Sequence, residues 1–189
     1  KELAQELPEV DHFLGSADML GLRDVLNGEA SRLAVSKLSR EAYIYNHDAP
    51  RLTYGRNHTN YLKIAEGCDR PCGFCIIPKL RGPQRSRQIE SLVEEAEILV
   101  EQGTKEICLV AQDLTTYGSD LDSGTNLEKL VDSLGAISGL EWIRLHYAYP
   151  TTTTQGLIQR IAEHPRIASY LDVPLQHVDT GVLKFMRRG

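Results

Sequence analysis

Three of the four cysteines fall within eight residues, in the run Glu66-Gly67-Cys68-Asp69-Arg70-Pro71-Cys72-Gly73-Phe74-Cys75, with the spacing C-x3-C-x2-C. A disulfide framework fits this poorly, because three neighbouring thiols cannot all pair among themselves. A structural zinc site needs four ligands, usually as two separated pairs, so His58 or a more distant histidine would have to complete it. An iron–sulfur cluster fits better. Four irons held by three thiolates leave one iron without a protein ligand, free to bind a small molecule. Gly67 and Gly73 let the backbone bend around such a cluster. Phe74, Ile76 and Ile77 are the apolar residues that would keep water from the sulfurs. The fourth cysteine, Cys108, sits in the apolar run Ile107-Cys108-Leu109-Val110-Ala111 and reads as a buried structural thiol.

The cysteines follow directly on a strand-like segment. Strands are expected over 61–65, 106–111, 142–147 and 170–175. Between them, apolar residues recur at spacings of three and four. Ile89, Leu92, Val93, Ala96, Leu99 and Val100 define the first helix, which Gly103 ends. A second helix spans about 125–136, with Leu127, Leu130, Val131 and Leu134 inward. A third spans about 154–163, with Leu157, Ile158 and Ile161 inward, and a fourth begins near Thr180. Regular alternation of strand and helix implies parallel strands joined by helical crossovers, as in an open doubly wound sheet or a (β/α) barrel. In both, active sites gather beyond the carboxyl ends of the strands, where the cysteine loop lies.

The 189 residues are 41% hydrophobic and 25% charged, which excludes wholesale disorder and low-complexity structure. No apolar run reaches the length of a membrane span, and the first residues lack the apolar core of a signal peptide, so a cytoplasmic location is expected. The net charge of −5 disfavours a large nucleic-acid surface. Residues 1–28, with a short strand followed by a helix capped at Ser16 and closed by Gly28, are expected to be the tail of a preceding α/β domain. Residues 29–57, punctuated by Asn46, Asp48, Pro50 and Gly55, read as a linker with a short hairpin over about 43–54. Residues 58–189 form the main domain, expected to be incomplete at its carboxyl end, so that the chain is a segment of a larger enzyme.

Several polar residues carry a plain reading beside a functional one. Lys79, Arg81, Arg85 and Arg87 are either a solvated loop or a surface that steers an anionic partner or electron donor. Asp113 either binds a ligand or caps a turn. His146 and His177 read as structural histidines, with substrate contact second. Tyr43, Tyr45, Tyr54 and Tyr61 read as packing. Asp172 and Pro174 interrupt the last strand pattern, consistent with a broken ladder near a pocket.

The cysteine loop with its aromatic Phe74, placed after the first strand of the main domain, resembles the signature of the radical S-adenosylmethionine (radical SAM) superfamily. Tyr61-Leu62-Lys63-Ile64-Ala65-Glu66-Gly67-Cys68, Cys75-Ile76-Ile77-Pro78, Arg81-Gly82 and Ser86-Arg87 are similar to its methylthiotransferases. Ala111-Gln112-Asp113, Tyr117-Gly118, the run from Arg144 to Pro150 and the run from Leu171 to His177 most resemble the branch acting on an aspartate of a small-subunit ribosomal protein. The resemblance implies a partial TIM-type (β/α) barrel with Cys68, Cys72 and Cys75 on a 4Fe–4S cluster whose open iron binds S-adenosylmethionine. It places Phe74 against adenine and Gln112 at the methionyl end, with Arg144 and Gln176 as further cofactor contacts. It implies reductive cleavage of S-adenosylmethionine to a 5′-deoxyadenosyl radical, hydrogen removal from the aspartate β-carbon, and transfer of a methylthio group. It also implies a second 4Fe–4S cluster in an N-terminal domain and a reductant protein such as a flavodoxin or ferredoxin. The alternatives are a tRNA methylthiotransferase acting on an N6-modified adenosine beside the anticodon, and a zinc-stabilised, non-catalytic binding module.

Overall fold

The computed structural model describes residues 2–36, 38–52, 55, 57–121 and 124–188. The front part contains α1 (Glu2–Glu6), β1 (Phe13–Leu14), a 3-10 turn (Met19–Gly21) that runs into α2 (Leu22–Leu26), and β2 (Leu33–Ala34). β1 and β2 pair in parallel, with Phe13 opposite Leu33. The helix capped at Ser16 does not form as expected. The Ser16 hydroxyl donates to the Leu80 carbonyl at 2.5 Å, and the helical turn begins at Met19. Gly28 follows α2 with φ +76°, the left-handed conformation of a glycine that ends a helix.

The described residues between 29 and 57 run back along the main domain. Arg51 donates to the Tyr61 carbonyl and to Glu95, while His47 meets Ser91 and Glu94. The hairpin expected over 43–54 has no strand among its described residues, and Tyr54 lies outside them.

The main domain comprises β3 (Thr59–Lys63), β4 (Ala65–Glu66), α3 (Ile77–Arg81), β5 (Arg85–Ser86), α4 (Ile89–Glu101), β6 (Glu106–Val110), α5 (Leu127–Gly135), β7 (Trp142–Leu145), α6 (Gln155–Glu163) and α7 (Thr180–Phe185). β3, β6 and β7 form a parallel sheet in that order, with Tyr61 opposite Cys108 and Cys108 opposite Arg144. Side chains alternate between the two faces of each strand. One face therefore carries Leu62, Ile107, Leu109, Ile143 and Leu145, buried under Leu92 and Ala96 of α4 and Leu130 and Leu134 of α5. Each such leucine or isoleucine contributes about 1.5–3 kcal/mol of transfer free energy. The helix ends follow local chemistry: Asn126 caps α5 by accepting from the Lys129 N–H, and Thr154 caps α6 by accepting from the Leu157 N–H.

The fourth strand, expected over 170–175, is absent. The far edge of β7 is met earlier, at a single parallel bridge between Ile143 and Ile167. There the Ile143 N–H donates to Arg166 and the Ala168 N–H to Ile143. Beyond it the chain returns only where the Ala148 N–H donates to the Asp172 carbonyl at 2.8 Å. Pro174 has no N–H to offer a ladder, which explains part of the loss. The sheet is open, not a closed barrel. Among the described residues, no helix is long and apolar enough to cross a membrane.

Candidate functional site

The cysteine loop is a strap closed at its neck. β4 pairs antiparallel with β5, Ala65 opposite Ser86 and Glu66 opposite Arg85, and the Cys68 N–H donates to the Gly82 carbonyl at 3.1 Å. Gly67 has φ +82°, and a Cβ there would lie 2.2 Å from the Pro83 carbonyl oxygen, so only glycine fits. Beneath the neck, the buried Arg85 guanidinium donates to the carbonyls of Ser39, Arg81 and Pro83. Two of the four basic residues read as a solvated or steering loop, Arg85 and Arg87, are thus buried. Arg87 pairs with Glu95 at 2.6 Å.

Cys68 is buried, Cys72 half-buried and Cys75 exposed. All three line one cavity of about 380 Å³ beyond the carboxyl ends of β6 and β7, together with Phe74 and Gln112. Gln112 Nε2 donates to Glu66 Oε1 at 3.2 Å, while Gln112 Oε1 is buried without a hydrogen-bond partner. Burial alone would raise the Glu66 carboxyl, but the hydrogen bond and charge of Lys63, with Arg81 beyond, outweigh it and hold it below its ordinary range. Burial pushes the Cys68 thiol up, against the Arg70 N–H that favours its thiolate.

Asp113 is 2% exposed and does two things. It accepts from the Thr115 N–H and hydroxyl, capping the turn after β6, and it pairs with Arg70 Nε at 2.7 Å. Arg70 also donates to Thr152 and lies 3.9 Å from the centre of the Tyr149 ring. Arg188 lies 4.5 Å from the same ring centre. Arg70, Asp113, Tyr147, Tyr149 and Arg188 all line the cavity, and reading the sequence singled out only Asp113 among them as a candidate ligand contact. Tyr147 adopts φ +75°, a strained conformation for a residue with a side chain.

The structure thus brings Cys68, Cys72, Cys75, Phe74 and Gln112 to one cavity, but not the other two expected contacts. Arg144 points from the open sheet face to Glu106, with its Nε 2.6 Å from the carboxylate and its guanidinium over the Tyr170 ring. Gln176 is exposed with φ +71°. Ile76 is exposed and is not in the cavity lining. His146 sits 4.0 Å from Asp172, and His177 accepts from the Asp179 N–H. Cys108 is buried, and Tyr45 packs between Lys63 and Arg87.

Residues 62–189 match a family model described as the radical SAM superfamily. The chain belongs to the radical SAM superfamily. With the family goes the 4Fe–4S cluster, and the donor set here fits it. Three thiols surround one cavity, and the unpartnered Gln112 Oε1 is an acceptor suited to an ammonium group. Among the described residues, no three His, Cys, Asp or Glu side chains are grouped to hold a single metal ion. The zinc-stabilised module weighed from the sequence falls with this assignment.

Curated relatives are named ribosomal protein uS12 methylthiotransferase RimO. That of Anaeromyxobacter sp. (strain K) is 51% identical across all of this chain, which covers 40% of it. Those of Myxococcus xanthus and Geobacter sulfurreducens are 48% and 46% identical, again across all of this chain, which covers 39% and 42% of them. The radical SAM chain therefore spans about two-fifths of the length of these relatives. A solved structure of the radical S-adenosylmethionine methyltransferase TsrM from Kitasatospora setae, with cobalamin and a 4Fe–4S cluster bound, superposes with a TM-score of 0.54. It is 17% identical and covers 66% of this chain and 24% of its own, a likeness of fold alone.

Proposed function

We propose that the protein is a radical SAM methylthiotransferase that inserts a methylthio group at the β-carbon of an aspartate in the small-subunit ribosomal protein uS12. The observation that carries this reading is the cavity in which Cys68, Cys72 and Cys75 face Gln112 beyond the strand ends. The names of relatives 44–51% identical over the whole chain support the choice of substrate.

In this reading Cys68, Cys72 and Cys75 hold the cluster. The bound cluster and S-adenosylmethionine would supply the radical chemistry, and the protein supplies position. Gln112 Oε1 accepts from the amino group of S-adenosylmethionine, held in place by the Glu66 carboxylate behind its Nε2. Phe74, which lines the cavity, would hold adenine. Asp113 fixes Arg70 and, through it, the floor of the cavity. Arg144 and Gln176 lie outside the cavity lining here; contact with the cofactor would require either side chain to move.

The reading extends to the whole protein. Residues 1–28 are the tail of an N-terminal domain that carries the second cluster. Residues 29–57 are the linker and residues 58–189 belong to the radical SAM core. A flavodoxin or ferredoxin supplies electrons, in the cytoplasm.

Mass spectrometry of uS12 and of tRNA from cells lacking the gene tests the substrate. Absence of the modified aspartate peptide with intact tRNA nucleosides is the expected result. Loss from tRNA alone would move the assignment to the tRNA reading. Anaerobic reconstitution tests the site: Cys72→Ala should lose the S-adenosylmethionine-cleaving cluster, and continued 5′-deoxyadenosine formation would refute its role as a ligand.

A further inference from the structure

Arg188 arrives at the cavity from the far end of the described chain. After α7 the backbone turns through Arg187, at φ +52°, and folds back onto the cysteine strap. The Gly73 N–H donates to the Met186 carbonyl at 2.9 Å, so the last turn is fastened directly to the loop between Cys72 and Cys75. Arg188 is 9% exposed. Its Nη2 donates to the Pro174 carbonyl, its guanidinium packs on the Tyr149 ring, and its Nη1 stands 3.8 Å from Cys72 Sγ. Its Nε is buried without a partner.

The charges around the cavity make this position distinctive. Three charged side chains besides the cysteines line it, namely Arg70, Asp113 and Arg188. Arg70 and Asp113 neutralise each other at 2.7 Å. Arg188 forms no salt bridge among the described residues. One uncompensated positive charge is therefore held against one cysteine, in a partly desolvated place where charge acts strongly.

We propose that Arg188 sets the reduction potential of the cluster held by Cys68, Cys72 and Cys75, by donating to Cys72 Sγ. This rests on the reading of those cysteines as cluster ligands. Reduction adds one electron, and so one negative charge, to the cluster. A fixed cation beside a ligand sulfur stabilises the reduced form more than the oxidised one, and hydrogen bonds to sulfur act in the same direction. The Tyr149 ring and the Pro174 carbonyl keep the guanidinium from swinging to solvent. Arg188 acts through Cys72 and is a tuning residue, not a catalytic one.

The test is an EPR-monitored redox titration of the full-length, reconstituted protein, following the signal that changes on adding S-adenosylmethionine. In Arg188→Gln the ratio of reduced to oxidised cluster at a fixed potential should fall about tenfold, which is about 59 mV more negative for a one-electron couple. Arg188→Lys keeps the charge and should stay within about threefold of the unaltered protein. An unmoved potential in Arg188→Gln, or an equal shift in Arg188→Lys, overturns the proposal. Should Arg188→Gln not retain iron, Tyr149→Leu, which removes the ring that holds the guanidinium, replaces it and must lower the ratio at least threefold; no movement there also overturns it. An unaltered protein that takes up no cluster would instead sink the ligand reading itself.

Discussion

Gly67→Ala should open the neck of the cysteine strap, and its cost can be worked from the backbone. The residue sits at φ +82°, where a side chain costs about 1–2 kcal/mol. The new Cβ would also meet the Pro83 carbonyl oxygen at 2.2 Å and the Gly82 carbonyl oxygen at 2.6 Å. Those atoms belong to backbone and cannot rotate away, so the strand pair must separate by roughly 1 Å to restore ordinary contact. The Cys68 N–H to Gly82 bond lies in the path of that movement, and its loss adds about 1 kcal/mol. The sum is about 2–3 kcal/mol. Gly103 provides the control: it has φ +101° but nothing within 4 Å of its Cβ position, so Gly103→Ala bears the conformational cost alone. Native-state hydrogen exchange in the full-length protein reads the difference locally. At about 1.4 kcal/mol per decade, peptides over 64–70 and 82–88 in Gly67→Ala should exchange about 30- to 100-fold faster. Those over 98–106 in Gly103→Ala should change by about tenfold. Equal acceleration at the two sites would refute the steric part of the reasoning, and no acceleration at Gly67 would refute all of it.

Glu95→Gln should cost about 3 kcal/mol, because it leaves the buried Arg87 guanidinium without its carboxylate; a melting temperature within 1 °C of the parent, against roughly 6–12 °C expected, would contradict this. At Tyr147, φ +75° reverses the usual order of small residues: Tyr147→Gly should be more stable than Tyr147→Ala by about 1 kcal/mol in urea unfolding, and the opposite order would remove the claim of strain. Asp132 receives Arg160 Nε and Nη2 at 2.8 and 2.7 Å, tying α5 to α6. The Arg160 hydrogen bond holds the Asp132 carboxyl below its ordinary range, so its contribution, about 0.5 kcal/mol for a half-exposed pair, is present above pH ~4 and lost as pH falls through the folded value. The stability gap between the parent and Asp132→Asn should therefore be constant from pH 7 to 5 and shrink below about pH 4; a gap as large at pH 3 would count against the pair.

The parts of the fold written in local periodicity were legible. Leu92, Ala96 and Leu99, and Leu127, Leu130 and Leu134, recur at helical spacing and are buried as expected. The one helix N-cap read from the sequence, Ser16, gives its hydroxyl to the Leu80 carbonyl instead. The strand expected over 170–175 failed because pairing depends on which neighbour lies alongside, and the chain meets β7 at Ile167 instead. The cysteines, Phe74 and Gln112, which the structure brings to one cavity, could be singled out because their chemistry or family pattern is local to a loop or strand end. Tyr149 stood inside a family-like run that gave it no role of its own, and nothing within a few residues marks Arg188. Their role comes from an encounter between positions far apart in the chain. Arg85 and Arg87 looked like surface charge because burial of an arginine depends on carbonyl and carboxylate partners that the sequence does not place.

The bond from Arg188 to Cys72 joins residues 116 positions apart. Synthesis runs in one direction, at roughly 5–20 residues per second, so the strap leaves the ribosome about 6–23 s before its clasp exists. During that interval Cys72 lacks the cover of the last turn. This is the period in which iron can be delivered without displacing anything, and in which oxygen can reach the thiols just as freely.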